Sequence, residues 1–272
     1  MKKLTFILAI LITTIGCEDV IDVEVPNGEA RLVIDATFEY FRNETPATME
    51  GGVKLTLSAP FFNTDVPAVS DATVFLTNMN DNTIINFIES EEQGFFIPSE
   101  EEFLPEFDTP YQLTVEYKDE TYVADATLIP TVPIDDVQQG DATLFDGDET
   151  EIIITYTDDA TRDDFYLFDF DFNLFITSED RFYQGKTFGF SYFYDQMVSN
   201  QEITIKIIGI DEQYFDYATL LIEQSDQGGG NPFQAPPAVL RGNIINKTSP
   251  DNYALGYFTI SEASKFDFSI EK

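Results

Sequence analysis

Short segments in which apolar and polar residues alternate dominate the pattern from residue 31 onward. In the clearest of them Val53, Leu55 and Leu57 alternate with polar residues, which is the period of a strand with one buried face. Residues 31–130 contain roughly seven such segments separated by turn signals, a spacing typical of an immunoglobulin-like sandwich. We therefore predict an immunoglobulin-like β-sandwich over residues 31–130.

The second part of the chain, residues 131–272, is predicted to be another β-rich domain with longer strands. A proline-containing linker precedes it, and residues 165–175 give its clearest alternation. The period then changes, because apolar residues three or four positions apart over 212–225 predict one short amphipathic helix, with Asp211 as its N-cap. The fold class expected for the whole chain is mainly β.

The first seventeen residues have the pattern of a bacterial lipoprotein signal. Two lysines precede an apolar run of about a dozen residues, which is shorter than the ~20 that a spanning helix needs. The run ends at Cys17, the only cysteine of the chain. We predict a signal peptide over residues 1–16, a lipid on Cys17 and a lipidated tether over 17–30. A coincidental cysteine after an ordinary signal peptide is the alternative, but it would leave an unpaired thiol in a secreted protein.

The charge of the chain excludes several classes of function. It has 14 Lys and Arg, 50 Asp and Glu and no His, for a formal net charge of −36. General nucleic-acid binding is not expected, because it depends on cations that contact phosphate. Without histidine there is no Ser–His triad, no His-ligated zinc and no histidine pH switch. Since 43% of the residues are hydrophobic, the chain is expected to fold despite its charge.

A series of short segments, kept in one order along the chain, carries a resemblance to a known family. The segments are 17–23, 31–34, 53–58, 69–74, 122–124, 211–217, 231–233, 242–244 and 255–258. By these segments the chain resembles a family of Bacteroidota outer-membrane lipoproteins of unknown function, whose genes commonly lie beside one for a TonB-dependent receptor. Glu18 and Asp19 also resemble the surface-export signal of such lipoproteins, although two adjacent acids are not rare in this chain.

The resemblance implies a place and a partner rather than a reaction. We expect an outer-membrane lipoprotein that faces the cell exterior and acts as an accessory subunit of a TonB-dependent receptor, capturing substrate or covering the receptor. The alternative is a structural or adhesive surface protein that binds proteins or glycans through the immunoglobulin-like part. No motif points to an enzyme. Two carboxylates can hydrolyse a glycosidic bond when they flank it, but in so acidic a chain pairs of acids arise by chance and do not indicate a hydrolase. No cofactor is expected beyond the lipid.

Two groups of residues are candidate sites. The first group consists of aromatic side chains that could contact a ligand or the receptor. It contains Tyr183, Phe188, Tyr192, Phe193 and Tyr194, for which ordinary core packing is the alternative, and Phe233. Phe233 lies in a segment whose alternative role is to end the helix and return the chain to the sheet. The second group is a weak set of calcium ligands in one acidic loop, Asp146, Asp148 and Glu149, for which a solvated loop is the alternative. Their spacing does not match the helix–loop–helix calcium motif.

Overall fold

The computed structural model describes residues 28–60, 65–99, 103–144, 147–195, 197–225 and 239–271. The prediction of a mainly β chain is confirmed. The first eight strands are β1 (Leu32–Phe41), β2 (Thr48–Leu57), β3 (Thr73–Asn78), β4 (Ile84–Glu89), β5 (Phe95–Pro98), β6 (Pro110–Tyr117), β7 (Glu120–Ile129) and β8 (Ile134–Gln139). The remaining elements are β9 (Thr150–Thr157), β10 (Phe165–Asp169), β11 (Phe175–Glu179), a 3-10 turn (Asp180–Phe182), β12 (Thr187–Tyr194), β13 (Glu202–Ile210), α1 (Glu212–Ser225), β14 (Ile245–Asn246) and β15 (Leu255–Ser269).

Eight strands close into a barrel. Its order is β15, β1, β2, β5, β4, β3, β6 and β7, and the ring closes where β7 pairs with β15. Within the ring β15 runs parallel to β1 and to β7, whereas the other neighbouring strands of the ring are antiparallel. The strand that completes the ring therefore comes from the C-terminal end of the chain.

The barrel interior is a packed core. Along β1, the side chains of Ile34, Ala36 and Phe38 are fully buried, as expected when alternate residues of a strand point to one face. Phe38 makes edge-to-face contacts with Phe87 and Phe258, with ring centroids 5.8 and 6.2 Å apart. An interior filled in this way is a core and leaves no room for a channel at its centre.

β15 belongs to two structural units. Residues 255–262 pair with β1 in the barrel, and residues 263–269 pair with β13 in a second sheet. That second sheet continues through β10 to β11. Its buried side chains share one hydrophobic core with those of a separate sheet formed by β12, β9 and β8, so a two-sheet unit is attached to the barrel.

The immunoglobulin-like sandwich predicted for residues 31–130 is not confirmed. The strands predicted there do form, but they lie in one ring with β15 instead of in two facing sheets. The alternation of apolar and polar residues shows which face of a strand is buried, and this pattern is the same in a sandwich and in a barrel. It therefore could not distinguish the two folds. The predicted amphipathic helix is present as Glu212–Ser225, and the backbone N–H of Tyr214 donates a 2.7 Å hydrogen bond to the carboxylate of its cap Asp211.

Candidate functional site

A groove of about 480 Å³ lies between α1 and the outer surface of the barrel. The alternation that buries one face of β1 turns Asp35, Thr37 and Glu39 outward into this groove. Thr259 and Ser261 of β15 are also directed there, and both are buried beneath it. Polar side chains on two adjacent barrel strands thus form a floor that α1 partly covers.

Three tyrosines form an aromatic wall of the groove. Tyr214 and Tyr217 lie on the side of α1 that faces the barrel, and Tyr257 comes from β15. The ring of Tyr257 is 4.7 Å from that of Tyr214 and 5.1 Å from that of Tyr217, measured between centroids. These are ordinary distances for aromatic packing, so the three rings hold α1 against the strand.

The carboxyl of Asp35 lies beside this aromatic wall. Asp35 is exposed at the surface of the groove; its carboxyl accepts a 3.0 Å hydrogen bond from the Thr37 hydroxyl, and the residue is adjacent to Tyr257 in the β1–β15 register. Burial raises the pKa of Asp35, and the Thr37 hydrogen bond opposes that rise. Burial and then the charge of Asp35 raise the pKa of Tyr214 and of Tyr217.

Asp35 makes no ion pair with any residue that the structure describes. Its cross-strand neighbour is Lys54, but the ammonium of Lys54 pairs instead with Glu92 and donates to the carbonyl oxygen of Gln93. Glu39, in contrast, accepts a 2.6 Å hydrogen bond from Lys206. Asp35 is therefore a groove carboxylate without a counter-ion among the described residues.

The groove continues toward a charged cluster. Asp169 lines both the groove and a neighbouring polar hollow that contains Lys206 and Lys265. Burial raises the pKa of Asp169, while the N–H of Asp171 and the charge of Lys206 lower it. Lys265 is paired 2.8 Å from Glu50 and 2.9 Å from Glu44. No lysine or arginine is among the described residues that line the groove itself.

The mouth of the groove carries exposed apolar side chains. Phe175 of the edge strand β11 is 37% exposed, and Leu221 of α1 is 48% exposed. Both residues line the groove. Val33, Leu167 and Ile208 add apolar surface deeper inside. A concave, mainly apolar surface with a few convergent polar groups is the usual form of a small-molecule site.

The structure places three of the six candidate aromatic residues, Tyr183, Tyr192 and Tyr194, in the core between the two sheets. Tyr183 and Tyr194 are buried, and Tyr192 stacks on Phe170 with ring centroids 4.1 Å apart. Phe188 stacks on Tyr183 at 4.5 Å and lines an open surface hollow. Phe193 is half-buried and points to the opposite face of β12.

Several candidates lie outside the described residues. These are Cys17, Glu18, Asp19, Asp146 and Phe233. Of the remaining calcium candidates, Asp148 is exposed, and Glu149 accepts backbone hydrogen bonds from Leu144 and Gly147. Within the described ranges, no three acidic, histidine or cysteine side chains come together in a way that could hold a metal ion.

A buried carboxylate cluster joins β9, β10 and the 3-10 turn. The hydroxyl oxygen of Tyr166 lies 2.6 Å from a carboxylate oxygen of Asp158 and 2.9 Å from one of Asp164, so its single proton is shared between the two acids. Arg162 pairs with Asp164 at 2.8 Å. The carboxylate of Asp180 accepts a 2.8 Å hydrogen bond from the N–H of Asp164. Each carboxylate has a partner within the protein, and we interpret the cluster as structural.

Sequence reasoning missed the residues of the groove. Tyr214 and Tyr217 were part of the helical apolar pattern, but a pattern does not reveal which surface a helix covers. A signal was present in β1, where Asp35 and Thr37 interrupt an otherwise apolar strand. The role of these polar residues could not be read from the sequence, because β15, the strand that lies beside β1 and completes the groove floor, is far away along the chain.

The fold and the groove define a mainly β protein, with a closed barrel, an attached two-sheet unit and a lateral groove beneath its helix. The chain belongs to the family described as a domain of unknown function, DUF4249, whose sequence profile matches residues 18–267. No curated protein and no solved structure gives a significant match to the chain. In the part of the chain that the structure describes, no helix has the length and apolar character to cross a bilayer.

Proposed function

We propose that this protein is a surface lipoprotein of the outer membrane that captures a ligand for an associated TonB-dependent receptor. The groove beneath α1 is the observation that carries the proposal. It is large enough for a small molecule or a short peptide segment, and its apolar lining surrounds a few polar groups. In this role the lipoprotein holds the ligand, and the receptor performs the energised import.

The anchor and the compartment are part of the same proposal. The basic, apolar and Gly-Cys pattern at the N-terminus supports a lipid on Cys17, and Glu18 and Asp19 support exposure on the cell surface. The resemblance to lipoproteins encoded beside TonB-dependent receptors supports the choice of partner. The proposed role is non-catalytic, uses no cofactor other than the lipid and involves no nucleic acid.

The partner is tested by gentle detergent extraction of the tagged lipoprotein from native membranes, followed by mass spectrometry. We expect a TonB-dependent receptor in a near-stoichiometric amount. An unrelated outer-membrane lipoprotein with the same tag is the control for non-specific recovery. A lipoprotein recovered alone would contradict the receptor role and favour the adhesive alternative, which predicts lost attachment with normal nutrient uptake after gene deletion.

The anchor is tested separately with a Cys17→Ala variant. We expect the wild-type protein to be cleaved, acylated and recovered with membranes, and the variant to lack the lipid. Metabolic labelling with a fatty-acid analogue measures this directly. Labelling that persists in the variant would place the lipid elsewhere and overturn the assignment of Cys17.

A further inference from the structure

We infer that the groove between α1 and the barrel binds an organic cation, with an ammonium group at Asp35 and an apolar body along the lining. This inference rests on the proposed function, since it names the ligand class of the same groove. Its geometric basis is an unpaired carboxylate next to three aromatic rings in a concave surface that no lysine or arginine among the described residues lines.

The local charge favours a cation over an anion. Asp35, Glu39 and Asp169 all line the groove. Glu39 already has Lys206 as its partner, at 2.6 Å. Asp35 has only a neutral hydroxyl, and an ammonium group would supply the missing counter-ion through charge-assisted hydrogen bonds. The net charge of −36 adds a long-range attraction for cations to this local one.

The tyrosines make the site suitable for an ammonium group in particular. Aromatic rings attract cations through their negative faces, and tyrosine adds a hydroxyl oxygen that accepts a hydrogen bond. Tyr257 is the neighbour of Asp35 in the β1–β15 register, and its ring lies 4.7 and 5.1 Å from those of Tyr214 and Tyr217. A cation at Asp35 would therefore lie beside the aromatic wall of the groove. A hydrated metal ion would gain nothing from the apolar lining.

The shape of the groove indicates an apolar body on the ligand. Val33, Leu167 and Ile208 line its inner part, and Phe175 and Leu221 form its mouth. An aromatic or branched aliphatic amine can bury its apolar portion there while its ammonium reaches Asp35. Burial of such apolar surface adds affinity that a bare inorganic cation cannot obtain.

The test uses the full mature chain, purified without its lipid through the Cys17→Ala change, and 2-phenylethylamine as the probe. Titration calorimetry at about 0.15 M salt limits screened, non-specific attraction between the amine and the acidic surface. We expect saturable 1:1 binding of the amine. The neutral analogue 2-phenylethanol should bind at least tenfold more weakly, and the anion 3-phenylpropanoate should not bind.

Variants locate the site. Asp35→Asn retains the acceptor for the Thr37 hydroxyl but removes the charge, and it should weaken binding of the amine roughly tenfold. Tyr217→Phe keeps the ring and should bind nearly as the wild type does, whereas Tyr217→Leu should bind several-fold more weakly. Asp251→Asn, which changes an exposed carboxylate that does not line the groove, is the matched control and should leave affinity unchanged.

Three outcomes would overturn the inference. Equal affinity for the amine and the alcohol would show an apolar site without charge selection, and equal weakening by Asp35→Asn and Asp251→Asn would show general attraction to an acidic protein. Absence of binding by all three probes would also overturn it. The receptor pull-down is independent of these titrations, so a lost cation site and a lost receptor role are distinguishable. Thermal melting of each variant confirms that it is folded.

Discussion

Gly256 of β15 lies directly against the backbone of β1 in the barrel. Its φ is +97°, and a side chain there would place Cβ 2.0 Å from the carbonyl oxygen of Ile34 on β1. Only glycine adopts this conformation without strain and allows this approach. The parallel pairing of β1 and β15 completes the barrel and brings Asp35 beside Tyr257. This pairing therefore requires glycine at position 256, because even the methyl group of alanine would clash with β1.

We predict that Gly256→Ala destabilises the protein by roughly 3 kcal/mol or more, since backbone strain adds to a clash with backbone that cannot move away cheaply. Urea denaturation followed by circular dichroism measures the change. Gly28→Ala is the control, because a side chain at Gly28 meets no atom within 4 Å. A similar midpoint for both variants would show that the strand junction tolerates a side chain.

Asp180 in the buried carboxylate cluster gives a prediction about pH. Burial raises its pKa, the charges of Asp158, Asp163 and Glu179 raise it further, and the N–H of Asp164 opposes the rise. A carboxyl whose pKa is raised on folding favours the native state below its unfolded-state pKa, near 3.8. This contribution is lost as the pH rises through the folded-state pKa.

Asp180→Asn is therefore expected to melt at a higher temperature than the wild type at pH 7.5, since the amide removes a buried charge and still accepts the hydrogen bond from Asp164. The difference should shrink as the pH falls toward 4. Asp251→Asn, at an exposed position, is the control and should show no comparable dependence. Melting curves across this range measure the effect, and a variant that is less stable than the wild type at pH 7.5 would contradict it.

At the scale of elements, α1 depends on its first turn. The Asp211 side chain accepts the N–H of Tyr214, which also begins the aromatic wall of the groove. We predict that Asp211→Ala costs about 1 kcal/mol of stability and weakens ligand binding, because the first turn of the helix then holds Tyr214 less firmly. Asp211→Ser retains an N-cap oxygen and is the control. Equal stability of the two variants would contradict a role for the cap.

The elements themselves could largely be predicted from the sequence, whereas their arrangement could not. The strand around Val53, Leu55 and Leu57 and the helix over 212–225 follow from local periodicity, which depends on the residues within each element. The barrel depends on pairs such as Ile34 with Gly256, and periodicity carries no information about which distant strand supplies a neighbour. The groove was missed for the same reason, since it exists only where β1, β15 and α1 meet.

At the scale of the whole molecule, β15 connects the barrel with the two-sheet unit. Its first part pairs with β1 and its last part with β13. Glu262, at the change between the two, is buried; it pairs with Arg42 at 2.9 Å and accepts the N–H of Thr131 at 3.0 Å. The two units thus share both a strand and a buried polar junction.

This sharing predicts that residues 28–130 alone do not form a stable domain. The fragment contains seven of the eight barrel strands but lacks β15, so β1 and β7 keep unpaired edges and the core stays open on one side. We expect a fragment with poorly dispersed NMR signals and rapid amide exchange, compared with the full mature chain. A fragment that melts cooperatively would show that the ring is not needed for folding of this part.

The position of β15 also has a consequence for synthesis. A chain is made from its N-terminus, so β1 exists long before the strand that must lie beside it. Until β15 is made, β1 and β7 keep strand edges with unpaired backbone hydrogen-bonding groups and expose apolar side chains. Both features favour aggregation with other chains. The barrel can be completed only after residues 255–262 of β15 have been added. A closed barrel therefore shows that synthesis has passed β15, and a chain terminated before β15 keeps an open barrel that proteases can attack.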